Sequence, residues 1–152
     1  MSHGGEVTKR EREHRPVPAV LAVVVHDHKV LLVQRSNPPD AGCWGFPGGH
    51  IEWGERLFDA AERELHEETG VDARAEEVLT ALDMQAEEVA EGIGYHHFVL
   101  VAVRCAWKGG SGTAADDVHA LGWFTLEQVA GLGNRASDGV FALAKLALSP
   151  HT

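Results

Sequence analysis

Positive charge is scarce in this sequence. Lysine and arginine number 13 against 23 aspartates and glutamates, a formal net charge of −10. That balance argues against general binding to a nucleic-acid backbone, which is held by neutralising its phosphates. Cysteine is nearly absent. Two residues, Cys43 and Cys105, cannot make a disulfide framework; each has apolar neighbours, so buried free thiols in a reduced, cytoplasmic setting are expected. No apolar run approaches the ~18 residues of a membrane span, and no stretch reads as a signal peptide, so no membrane partner is expected. There is no G-x-S-x-G elbow and no clear nucleophilic triad, which sets aside serine-type acyl chemistry. Internal repeats and dividing linkers are also lacking. A chain of 152 residues with 44% hydrophobic and 24% charged residues therefore reads as a polar tail over 1–15 and one domain over 16–152 with its own core.

The acids that are present are not spread evenly. Gly48 to Val71 (GGHIEWGERLFDAAERELHEETGV) carries seven of them, Glu52, Glu55, Asp59, Glu62, Glu64, Glu67 and Glu68, against Arg56 and Arg63, a local net of −5. Crowded carboxylates raise one another's pKa unless a cation holds them charged. Glu55 follows a Gly-rich turn and Gly70 closes the run, so the residues between them suit a helix. At about 100° per residue, Leu57, Phe58, Ala61 and Leu65 share one apolar stripe that must face a core. Glu64 and Glu68 fall at the margin of that stripe, and Glu67 lies about 100° round from Glu68, on the side away from it. A merely solvated face would put its acids opposite the stripe; these stand where the helix meets the rest of the fold. Oxygen-only donors at such density suit Mg2+ or Mn2+ rather than zinc.

These residues resemble a known family. Gly49, five residues, Glu55, seven residues, Arg63-Glu64-Leu65, His66, Glu67-Glu68, Thr69 and Gly70-Val71 match the Nudix box at nine constrained positions over 23 residues. The resemblance implies an α/β fold, a Nudix-type α/β/α sandwich with a mixed sheet. It also implies a divalent-metal-dependent hydrolase of nucleoside diphosphates linked to another group. Glu64, Glu67 and Glu68 are the expected metal ligands, with a carbonyl of Gly48 or Gly49 adding an oxygen. Arg63 is expected to pair with Glu55 or Glu64 and orient it, with Glu55 more structural than ligating. The general base is either Glu64 or an acid of the Asp116-Asp117 pair, with Asp117 carried forward; solvated loop acids are the plain alternative.

The rest of the chain supplies candidate elements around this centre. Val17 to Val25 reads as a buried strand, His26 to Lys29 as a solvated turn, and Val30 to Gln34 as its hairpin partner. Ser36 to Gly42 is a loop. Ala73 to Met84 is an irregular strand, Gln85 to Gly94 an acidic loop, Tyr95 to Trp107 a long strand, and Lys108 to Asp117 a flexible loop. Leu121 to Thr125 is a short strand, a helix begins at Leu126 to Ala130, and Val140 to Leu148 is a terminal helix. Strands that include hairpins alternate with helices, which predicts a mixed sheet with helices packed on it. Gly131 to Ala136 fits G-x-G-x-x-A but follows a helical stretch, so a loop between helices is expected rather than a dinucleotide turn.

Candidate substrate contacts are Arg35 for phosphate, Trp53 for a base and His97 for the cleft wall; His96 and His97 are adjacent on a strand and point to opposite faces. Trp44, Phe46 and Tyr95 are further aromatic candidates, with core packing the stronger reading for Phe46. PGGHIEWGE, YHHFVL and LGWFTLEQV resemble the MutT-like branch, which implies a (d)NTP pyrophosphohydrolase. Relatives similar over SNPPDAGCWGFPGG imply ADP-ribose instead. A nucleotide sensor of the same fold that does not cleave is the reading of another class. The partner is then a small nucleotide, and a chain this short is compatible with a homodimer.

Overall fold

The computed structural model describes residues 15–36, 41–88, 94–110, 112–113 and 118–149. Strand β1 (Val17–His26) runs through the centre of a seven-stranded mixed sheet. Its partner β2 (Lys29–Arg35) is antiparallel, but the two are in register only at Val25↔Val30 and His26↔Lys29. Asp27 and His28 make the turn with φ of 52° and 61°. Positive φ at both central positions is the turn whose twist suits a two-residue hairpin. The turn is thus shorter than expected, because His26 and Lys29 pair as strand ends.

Beyond the hairpin the two strands diverge. β1 takes β4 (Gly48–His50) antiparallel on one side and β6 (Gly94–Gly109) parallel on the other. β2 takes β3 (Trp44–Gly45) and β7 (Val118–Phe124). β5 (Asp72–Glu88) closes the sheet beside β6. Both β5 and β6 are longer than the sequence suggests. Gln85 to Glu88 pairs with Gly94 to His97, so the acidic stretch expected to be loop is strand at both ends. Backbone pairing offered by a partner strand overrides poor β-propensity there. The register shifts at Asp72/Ala73, Ala75/Glu77 and Val78/Thr80 are the irregularity anticipated for this segment.

Period-two alternation explains why β1 is apolar throughout. Val20, Ala22 and Val24 pack with Leu31, Val103, Cys105 and helix α1 (Leu57–Thr69) on one face. Val23 packs with Val30, Leu32, Phe46 and Ala102 against helices α2 (Leu126–Leu132) and α3 (Val140–Leu148) on the other. A sheet covered on both sides has no polar face to show. The result is the expected α/β/α layering with a mixed sheet, and no described helix is long and apolar enough to cross a membrane.

Two smaller expectations are corrected. Phe58 is 37% exposed; Ala60, Ala61, Leu65 and Thr69 form the buried stripe of α1 instead. Thr125 is not the end of a strand. It caps α2, accepting from the Gln128 N–H at 3.2 Å while the Gln128 side chain accepts from the Thr125 N–H at 2.8 Å, a reciprocal cap. Gly131 and Gly133–Arg135 lie at the end of α2 and in the 3-10 turn after it, the loop between helices that was expected.

Both cysteines are free, but only Cys105 is buried; Cys43 is half-buried. Burial, helped by Glu62 and Glu76, pushes the Cys105 thiol up to about 12. Native thiol labelling at neutral pH is therefore expected to modify Cys43 alone, with Cys105 reacting only after unfolding. Leu65, fully buried between α1 and the sheet, sets a second expectation. L65A should cost about 2–5 kcal/mol in urea unfolding, against no more than about 0.5 kcal/mol for L146A at an exposed position of α3.

Candidate active site at the glycine bend

The box helix is placed by its two ends. The Gly70 N–H closes α1 on the His66 carbonyl at 2.8 Å. At the other end, the Glu52–Glu55 turn is held by the Glu55 N–H on the Glu52 carbonyl at 2.9 Å and by the Glu52 N–H on Glu55 Oε1 at 3.1 Å. Between them Glu62 Oε2 accepts from the Ala75 N–H at 2.8 Å, at one of the β5 irregularities. That bond fixes the rotation of α1 about its axis and turns its next acids toward β4.

The two glycines of β4 have close neighbours, backbone at Gly48 and the end of a side chain at Gly49. A Cβ on Gly48 would run into the Val20 carbonyl, and one on Gly49 would stand 2.6 Å from the Glu64 carboxyl. The Gly48 N–H donates to Glu68 Oε2 at 2.8 Å. Glu64 and Glu68 thus meet adjacent residues of one bend.

Arg63 gathers the remaining acids. Its Nε donates to Glu55 Oε2 at 2.6 Å and its Nη2 to Glu55 Oε1 at 2.9 Å. Nη2 also reaches the His50 carbonyl at 3.1 Å. Nη1 is shared by Glu64 Oε1 at 2.9 Å and Glu67 Oε2 at 3.1 Å. A planar guanidinium can serve four acceptor groups at once; an ammonium cannot hold that geometry. The Arg63 hydrogen bonds, followed by that of the Glu52 N–H, draw the Glu55 carboxyl from its ordinary 4.5 down to about 2. Glu55 in turn raises the Arg63 pKa.

The donor chemistry fits a hard divalent cation, since every available group is an oxygen. The present geometry is more spread than that role requires. Among the described residues no three His, Cys, Asp or Glu side chains form a metal-holding group. The cause is local: Glu64 and Glu67 turn onto Arg63, and Glu68 turns onto Gly48. Glu64 is the more enclosed, 16% exposed against 57% for Glu67.

The other sequence candidates are less gathered. Arg35 is exposed at the end of β2, where its backbone pairs with Cys43 and Gly42. Trp53 projects wholly into solvent. His97 Nε2 stands 3.0 Å from Asp83 Oδ1. Phe46 is buried, as expected, and Trp44 packs edge-on to Phe124 with ring centroids 5.0 Å apart. Asp116, Asp117 and the side chain of Tyr95 lie outside the described residues. Two participants were missed in the sequence: Glu62, which looked like one more acid of the helix, and His50, which occupies a free position beside Gly49 and carried no pattern of its own.

The Glu55–Arg63 pair makes stability depend on acid. Glu55 titrates lower in the folded chain than its ordinary 4.5, so its stabilisation is complete above that value and is lost as pH falls toward about 2. In EDTA, wild type should exceed E55Q in urea midpoint by a constant margin above pH 4.5. The margin should close as pH falls through this window. A margin independent of pH would refute the pairing.

The chain matches the NUDIX domain family over residues 15–144. It is 31% identical over 114 residues to an ADP-ribose pyrophosphatase of Methanocaldococcus jannaschii, covering 75% of this chain and 64% of that protein. It is 39% identical over 66 residues to a CTP pyrophosphohydrolase of Escherichia coli, covering 43% of this chain and 49% of that one. The chain thus spans less than two thirds of the length of either relative. A MutT NUDIX hydrolase from Burkholderia pseudomallei superposes with a TM-score of 0.68 at 29% identity, over 91% of this chain and all of that one. With the box, the layered sheet and the family match in agreement, this chain belongs to the Nudix hydrolase family.

Proposed function

We propose that this chain hydrolyses a phosphoanhydride bond in a nucleoside diphosphate linked to another group, using Mg2+ or Mn2+. Glu64, Glu67 and Glu68 and a carbonyl of the Gly48–Gly49 bend are the groups that hold the ion. The observation that carries this reading is the Arg63 fork, held by both oxygens of Glu55, which brings Glu64 and Glu67 onto one nitrogen while Glu64 and Glu68 stand against the Gly48–Gly49 bend. When bound, such an ion neutralises phosphate charge, orients the anhydride and lowers the pKa of a coordinated water.

The chain's own groups do the rest. Glu64 and Glu67 swing from the shared Nη1 of Arg63, which stays fixed by both oxygens of Glu55. The bare bend lets a pyrophosphate come close to Glu64. Glu64 accepts the proton of the attacking water as its oxygen bonds to phosphorus; the bridging oxygen departs with the second phosphate-bearing product. Asp117, before β7, is the other candidate for that proton, and the pair E64Q and D117N separates them. Arg35 supplies charge to the phosphates, with Trp53 and His97 as candidates for the rest of the molecule.

A nucleoside triphosphate is the leading substrate, in line with the CTP pyrophosphohydrolase and MutT relatives. ADP-ribose is the second, favoured by the archaeal relative, which matches more of this chain. The acidic balance of the whole chain, −10, speaks for a small nucleotide over a nucleic acid, and two free cysteines fit the cytoplasm.

A panel of nucleoside triphosphates, ADP-ribose, NADH and diadenosine polyphosphates, assayed with Mg2+ and Mn2+, tests this reading. Release of a nucleoside monophosphate from at least one triphosphate is expected. E67Q should lower turnover about 100-fold or more. Its melting temperature should move by only about 2–4 °C, since an exposed ion pair contributes at most ~1 kcal/mol. Tight nucleotide binding without turnover would reassign the chain as a sensor, and full activity in E67Q would remove Glu67 from the ligand set.

A further inference from the structure

Gly49 faces Glu64, so the side chain of His50 projects to the opposite side of β4. In the register, His50 is aligned with Ala19 of β1. Two residues back along β1, Val17 is aligned with Phe98 of β6, and Phe98 with Met84 of β5. Partners in register share a face, which puts these five side chains on the face of the sheet away from α1. Ala19 is small, and across it the His50 ring reaches Phe98, with centroids 5.6 Å apart and planes inclined by 31°. His50 is exposed, and Val17, Met84 and Phe98 are each only half-buried.

This apolar, ring-topped surface is one residue from the bend that meets the carboxylates. The His50 carbonyl is itself held by Arg63 Nη2 at 3.1 Å. The backbone beneath the ring and the acids of α1 are therefore positioned by one guanidinium. Among the described strands β4 pairs with β1 alone; its other edge faces the side chains of α1, with the Gly48 N–H on Glu68 and the His50 carbonyl on Arg63.

We infer that His50 and Phe98 form the platform on which the substrate's nucleobase stacks, while its phosphates reach round the β4 edge to the acids of α1. The inference rests on the reading above for where the phosphates lie. Stacking on aromatic rings depends little on which base is present. The platform accordingly selects nucleotides over anhydrides that lack a ring, and discriminates weakly among bases.

The test compares equilibrium binding of AMP and ribose 5-phosphate, by calorimetry in Mg2+ buffer, for wild type, H50A, H50F and F98A. Wild type should bind AMP about tenfold more tightly than ribose 5-phosphate. H50A and F98A should abolish most of that ratio by weakening AMP alone. H50F keeps a ring and should retain it, which also shows that the position tolerates change without loss of the fold. An absent preference for AMP in wild type, or a preference unmoved in H50A and F98A, overturns the platform. A His50-dependent preference in a chain that hydrolyses nothing on the panel would uphold the platform and sink the hydrolase reading. Turnover with an unmoved ratio would do the reverse.

Discussion

The site depends on one side chain, the guanidinium of Arg63. Seven acids in and around one short helix would repel one another and resist ionising. Arg63 offers its donors to Glu55, Glu64, Glu67 and the His50 carbonyl together, which ties the helix to β4 and to the turn that precedes it. The bonds to both oxygens of Glu55 fix the plane of the fork. The single Nη1 shared by Glu64 and Glu67 holds those two carboxylates side by side without burying either completely. Glu55 therefore secures the arginine, and the arginine arranges the acids available to a cation. That order makes physical sense of a box in which the distant glutamate, eight residues before Arg63, is fixed as firmly as the acids next to it.

The sheet explains how a glycine bend comes to stand in front of that helix. β1 and β2 begin as a tight hairpin and then part, and the gap on the β1 side is filled by β4. Val20 and Leu21 pair with Gly49 and Gly48 while their neighbours seal the core on both faces. The close approach of Gly48 to Val20 and of Gly49 to Glu64 follows from inserting a short strand between a central strand and a helix. Glu62 completes the clamp from the far side by binding the β5 backbone. The acids thus rest on rigid elements, the arrangement that holds functional groups more tightly than loops do.

Much of this was legible because it obeys simple periodicities. The unbroken apolar run of β1 announced a strand buried on both faces, and Val140 to Leu148 was delimited correctly by its own pattern. The acid cluster and Gly70 located α1, although Phe58 was placed inside by its hydrophobicity when the helix turns it outward. What was not legible depended on partners distant in sequence. Gln85 to Glu88 reads as loop on its own and becomes strand because β6 pairs with it. Thr125 does carry a local signal, the T-x-x-Q of a reciprocal cap. The bond from Ala75 to Glu62 and the ring contact between His50 and Phe98 have no local signature, since each joins residues brought together only by the sheet.

A two-faced strand also bears on how such a site is divided. Gly48 is constrained by the backbone of β1 at Val20, and Gly49 faces the Glu64 carboxyl. His50 is the first position of β4 where a side chain is both allowed and exposed, and its backbone is already committed to Arg63. Changing the side chain there leaves that backbone bond in place. On the reading proposed above, the chemistry faces α1 and recognition of the ring faces away from it, with one peptide unit between them. Substrate preference at residue 50 can then vary without moving a carboxylate, because the group that holds the carboxylates binds His50 through its main chain.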